Sequence, residues 1–87
     1  MNKELNGLIE KAITHEIGLC SFADLFEDTL IKIENHNQQP DQIYYDLCHD
    51  AALFDNEGTG DPNLLNDRAF MEAIKNAYLD LSTKYGL

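Results

Sequence analysis

An all-α protein, a compact four-helix bundle, is predicted by three features of this chain. Four segments carry apolar residues at helical spacing, none alternates with the period of a strand, and polar or glycine- and proline-bearing stretches separate them. With 87 residues, the chain is read as one domain over 1–87. A domain of this size hides only about 60–65% of the surface its unfolded chain exposes, so a large internal ligand cavity is not expected.

The first segment runs from Lys3 to about Glu16. Leu5, Leu8, Ile9, Ala12 and Ile13 fall on one stripe, and Gly18 is read as its stop. The second opens at Ser21, a side chain suited to capping, with Asp24 three residues on at the positive end of the helix dipole. Phe22, Leu25, Phe26, Leu30 and Ile33 form its buried stripe, with Thr29 between them, and the pattern fades into a polar linker over 35–39. The third begins at Pro40-Asp41, since proline suits a first turn and aspartate favours the dipole. Its inner face is Ile43, Tyr44, Leu47, Cys48, Ala51 and Phe54. Two glycines and a proline between Asp55 and Pro62 then mark an exposed loop. The fourth starts at Asn63 or Asn66 and reaches Tyr85, with Phe70, Ile74, Ala77 and Leu81 recurring at helical spacing and Gly86 after it. Leu64 and Leu65 are expected to pack at its start.

Charge is the strongest compositional signal. Sixteen acidic residues oppose six basic ones, for a net charge of −10. The imbalance is local as well. Between Glu16 and Asp67 only Lys32 faces the carboxylates of Glu16, Asp24, Glu27, Asp28, Glu34, Asp41, Asp46, Asp50, Asp55, Glu57, Asp61 and Asp67. Such a field repels nucleic acid and anionic membranes and draws in basic partners. The plain alternative is solubility. No apolar run approaches the ~20 residues that span a bilayer, and Met1-Asn2-Lys3-Glu4 lacks a signal-peptide core. Cys20 and Cys48 are too few for a secreted disulfide framework. A cytoplasmic location with two free thiols is therefore expected.

Asp55, Glu57, Thr59, Gly60 and Asp61 match the opening positions of a twelve-residue calcium loop. The bidentate glutamate at its end is replaced by Asn66, and Pro62 stands where an apolar residue pairs two hands, so an exposed acidic loop is the preferred reading. Cys20, Cys48, His49 and His15 lack zinc-ligand spacing. No nucleophile elbow or phosphate-cradling glycine loop is present. Carrier proteins of the acyl type are also small, acidic and four-helical, but Ser21 lies between Cys20 and Phe22 and lacks their attachment motif. No catalytic residue, metal site or cofactor is expected.

Tyr44 and Tyr45 are more informative. Neighbours on a helix diverge by about 100°, so both rings cannot face the core. One is expected to pack inward and the other to emerge beside Asp41, Asp46, His49 and Asp50. A rigid ring among carboxylates suits an anchor for a basic protein.

These residues carry a resemblance to bacteriocin immunity proteins. Pro40-Asp41-Gln42-Ile43-Tyr44-Tyr45, with Glu34-Asn35-His36 before it, is similar to the short third helix of the immunity proteins of DNase colicins. In that family the tyrosines and nearby carboxylates grip the toxin. This chain continues with Asp46-Leu47-Cys48 where that family has proline, and it lacks the family's arginine-tryptophan segment. A second resemblance spans about two-thirds of the chain: Ile17, Phe22, Ile43, Leu47, Ala51, Phe54-Asp55 and Asp61, followed by a last amphipathic helix, look like the colicin D immunity type. Those proteins are four-helix bundles of nearly this length that present an acidic surface to a tRNA-cleaving toxin. Here the matching acidic residues are Asp50, Asp55, Glu57 and Asp61.

The resemblance implies a partner, the basic nuclease domain of a toxin, tRNA-cleaving in preference to DNA-cleaving. The expected contact residues are Asp41, Tyr44, Tyr45, Asp46, Asp50, Asp55, Glu57 and Asp61. No nucleic acid or membrane is expected as a partner, and a monomer is favoured. Two other readings stand beside it. One is an acidic inhibitor or adaptor that mimics nucleic acid toward a host protein. The other is an enzyme or metal-dependent sensor.

Overall fold

Every helix in the computed structural model, which describes residues 3–36 and 39–86, buries most of the stripe its spacing marks out. Met1, Asn2 and, from the expected polar linker, Asn37 and Gln38 lie outside the described residues. The helices are α1 (Lys3–Ile13), α2 (Leu19–Asn35), α3 (Gln42–Ala52) and α4 (Asp67–Tyr85). Each packs on its neighbours in sequence, and α1 closes on α4, giving a four-helix bundle. Asn6, near the start of α1, meets Tyr44, near the start of α3, and the end of α4 meets Asp41. That end of the bundle therefore gathers two helix starts and two helix ends.

The termini correct two expectations. Helix α1 stops at Ile13, before Glu16, because His15 adopts a left-handed conformation (φ 63°). The Glu16 N–H then reaches back to the Lys11 carbonyl (2.8 Å) and the His15 N–H to that of Ala12 (3.2 Å). These two bonds define a Schellman stop in which histidine takes the place usual for glycine. Gly18 is the N-cap of α2, and it makes no side-chain cap. Ser21 lies inside the helix and caps nothing. Helix α4 starts as its sequence suggests, whereas α3 begins only at Gln42, so Pro40 precedes the helix and Asp41 is its N-cap and not part of its first turn. The Asp41 carboxylate accepts the Ile43 N–H (3.0 Å), and the Asn66 side chain accepts that of Ala69 (2.8 Å). Gly86 (φ 71°) ends α4 by donating to the Ser82 carbonyl.

One core joins all four helices. Leu5, Ile9, Phe22, Phe26, Leu47, Phe70, Ile74 and Leu81 are almost fully buried. Each such side chain contributes roughly 1.5–3 kcal/mol relative to exposure. Phe26–Phe22–Phe70–Phe54 form a run of rings with centroids 5.1, 5.8 and 4.7 Å apart, and Tyr44 adjoins Phe26 at 6.4 Å. Leu25, expected on the α2 stripe, is 45% exposed. It lies at the edge of the stripe that Phe22, Phe26, Leu30 and Ile33 centre.

Phe54 follows the end of α3 and carries the chain into the α3–α4 loop. The Asp55 N–H donates to the Leu65 carbonyl (2.8 Å) and the Leu65 N–H to that of Leu53 (2.7 Å). This isolated parallel bridge ties the loop at its base. No helix among the described residues is long and apolar enough to cross a membrane.

Candidate functional site

The fold converts the uneven charge of the sequence into an uneven surface. Lys3 and Lys11 lie on α1, and Arg68, Lys75 and Lys84 on α4, two helices that pack together. Helices α2 and α3 and the loop after them hold most of the carboxylates, opposed only by Lys32. Among the described residues the single ion pair joins Lys84 to Asp41. The acidic half is therefore left largely without internal countercharge.

The eight residues expected to meet a partner divide into three groups. Tyr44 is a core residue: it is 1% exposed, and its hydroxyl donates to Asn6 Oδ1 at 2.6 Å. Its place on the inner face of α3 removes it from any contact surface, which corrects the expectation. Asp41 and Asp55 are tied into the fold. The Asp41 carboxylate caps α3 and accepts from both the Lys84 ammonium and the Tyr85 hydroxyl (2.6 Å for the latter). The Ile43 N–H, then Lys84 and Tyr85, hold its pKa well below the usual carboxylate range. In return Asp41 raises the pKa values of Lys84 and Tyr85.

Asp55 lies at the base of the loop, only 8% exposed. Its carboxylate accepts from the Thr59 N–H and hydroxyl (3.0 Å each) and from the Gly60 N–H (2.8 Å). Gly58 (φ 66°) and Gly60 (φ 73°) turn the backbone so that these groups point inward. The Thr59 N–H leads the donors that hold the Asp55 pKa down. The carboxylate organises the loop and does not face outward, a second correction. Among the described residues no three His, Cys, Asp or Glu side chains converge as metal ligands.

The remaining five face solvent wholly or in part. Glu57 and Asp61 are exposed, and Asp61 Oδ1 accepts the Asn63 N–H at 2.9 Å. Asp46 is exposed and accepts from the Gln42 amide at 3.1 Å. Tyr45 is half-buried on the α2 side of α3, where burial, then the Glu34 charge, raises its pKa. Asp50 is half-buried on the α4 side. Burial pushes its carboxyl up, and Asp46 adds to this while His49 opposes it.

Three carboxylates outside the expected set complete the surface. Glu27 and Glu34, seven residues apart on α2, share a face beside Tyr45 and Cys48, and after burial their charges raise the Cys48 pKa. That spacing was a readable signal. Asp80 of α4 joins Asp46 and Asp50 along the groove between α3 and α4. No sequence feature links it to α3, because only the packing of two helices brings it there.

Helix α3 is thus a strut with an acidic flank on either side: Tyr45 with Glu27 and Glu34 toward α2, and Asp46, Asp50 and Asp80 toward α4. This is the arrangement of a helical bundle with an acidic, aromatic-bearing face. The chain matches no protein-family model, no curated protein and no solved structure.

Proposed function

We propose that this protein is an inhibitor that binds a basic protein partner: an immunity protein neutralising a cognate bacterial nuclease toxin, tRNA-cleaving in preference to DNA-cleaving. The observation that carries the reading is the separation of charge, with nearly all cations on α1 and α4 and an unneutralised acidic half around α3. A nuclease active site is basic because it holds phosphates. Carboxylates offered in their place provide fast capture, and a partly buried ring provides a slow off-rate. Tyr45 is the anchor in this reading, with Glu27, Glu34, Asp46, Asp50, Glu57 and Asp61 around it.

The test is survival. The C-terminal domain encoded by the adjacent reading frame is expressed with and without this protein. Death alone and rescue by the chain are expected, and gels of RNA and DNA from dying cells give the toxin class. Tyr45→Ala should cost binding about 2 kcal/mol or more, as interface anchors do. A toxic domain that this chain does not rescue refutes the immunity reading. Capture of a host nucleic-acid-binding protein in its stead would favour mimicry of nucleic acid.

A further inference from the structure

A groove of about 250 Å³ runs along the α3–α4 seam. Ala73 and Ala77 on α4 leave it open because they present only a methyl group there, and Ile43 on α3 adds an apolar wall. The volume falls below the roughly 300–1,000 Å³ of small-molecule sites, so it suits one side chain better than a cofactor. Asp46 and Asp50 from α3 and Asp80 from α4 line the same groove. No cation of the chain pairs with any of them among the described residues.

We infer that this groove receives an arginine side chain of the protein partner, its aliphatic stem on Ala73, Ala77 and Ile43 and its guanidinium among Asp46, Asp50 and Asp80. The inference rests on the inhibitor reading and deepens it by naming what one part of the surface takes. Apolar floor and acidic walls together match a side chain that is apolar along its length and cationic at its tip. Arginine fits better than lysine, because guanidinium is more weakly hydrated and its planar fork meets several carboxylate oxygens at once. Burial of Asp50, which His49 offsets only in part and the nearby Asp46 charge adds to, leaves an electrostatic cost that a cation in the groove lowers.

The probe is an N-acetylated hexa-arginine amide titrated into the ¹⁵N-labelled 87-residue chain at low salt. Amide shifts should concentrate at Asp50, Ala73 and Ala77. Asp50→Asn/Asp80→Asn should raise Kd roughly tenfold, and Glu27→Gln/Glu34→Gln, which removes the same charge from the other flank, by no more than about threefold. Equal losses in the two pairs, or shifts centred elsewhere, would mean that the peptide senses only net charge and would overturn the groove. Rescue from the toxin, scored in the same variants, separates the two readings. Rescue lost with Asp50→Asn/Asp80→Asn alone supports both. Undiminished rescue by that variant overturns the groove and leaves the inhibitor standing. Peptide binding mapped to the groove without any rescue by the wild-type chain supports the groove and removes the toxin.

Discussion

Removing one buried hydroxyl separates the two tyrosines of α3. Tyr44→Phe deletes the donor to Asn6 Oδ1 while the ring keeps its place against Phe26. Asn6 is only 5% exposed, and its Nδ2 already has no hydrogen-bond partner among the described residues. The substitution therefore leaves a buried amide unmet at both ends, at a cost of about 1–3 kcal/mol. For a domain of this size each kcal/mol moves Tm by roughly 4–8 °C, so a midpoint cost of ~2 kcal/mol lowers Tm by about 8–16 °C. Replacing both partners, Asn6→Leu/Tyr44→Phe, should recover most of the loss, with a coupling of at least ~0.5 kcal/mol. Thermal and urea melts followed by circular dichroism measure all three variants. Partner affinity should not change with Tyr44→Phe, because the ring does not reach the surface. A Tyr44→Phe protein within ~0.5 kcal/mol of wild type, or a double variant whose losses simply add, would refute the energetic role assigned to this bond.

Asp41→Ala should cost about 1–2 kcal/mol in urea melts through loss of the α3 cap, and Asp41→Asn distinctly less because it can still cap; equal losses would place the stabilisation in the Lys84 and Tyr85 contacts. Gly60→Ala, at φ 73°, should cost roughly 1–2 kcal/mol and speed amide exchange at Thr59 and Gly60, and unchanged exchange would contradict the loop architecture. Asp41 and Asp55 have folded-state pKa values below the ordinary ~3.9, so their contribution is complete above that value and is lost as pH falls below it. Asp50 has a raised folded-state pKa, and its penalty at neutral pH is relieved as pH falls through that value. Tm should thus climb as the pH is lowered through the raised Asp50 value and fall once it drops below the ordinary ~3.9, and a continuous rise down to about pH 3 would be inconsistent with the two tied carboxylates. Asp50→Asn removes the like-charge pair with Asp46 four residues away and should stabilise the fold by about 0.2–0.5 kcal/mol, where a loss would indicate a missing internal partner.

The helices were legible because burial and spacing are the same fact in an amphipathic helix. Phe22, Phe26, Leu30 and Ile33 could face one core only if 21–34 turned at 3.6 residues per turn, and they do. Termini were less legible, since a cap depends on backbone conformation as much as on residue type. Ser21 had a suitable side chain, but the chain had already entered α2 two residues earlier, after His15 turned it out of α1. The candidate surface was legible in its charge and much less so in its geometry. Sequence placed Tyr44, Asp41 and Asp55 in an acidic stretch but could not show that Asn6, Lys84 and the loop's own N–H groups occupy them. Those partners come from 38 and 43 residues away, or from a turn whose shape depends on two left-handed glycines. Asp80 was invisible for the same reason, because its nearness to Asp50 exists only once α4 lies on α3.

Under the proposed inhibitor reading, the acidic half answers to a partner and not to solubility alone. Solubility asks for net charge with both signs interspersed, and it gains nothing from gathering one sign on one side. Here all the lysines and arginines but Lys32 are gathered on α1 and α4, while α2, α3 and the loop repel themselves, with Asp50 half-buried beside Asp46 and only partly offset by His49. Self-repulsion lowers the stability of a fold whose core is already thin. A destabilising arrangement of this kind is expected where the surface is shaped for binding and its cost is recovered when a basic partner covers it. The same logic separates the carboxylates that do not serve that role. Asp41 and Asp55 are fully engaged within the fold, and their charges strengthen it. The outward group on the two flanks of α3 is where neutralisation by a partner has the most to give.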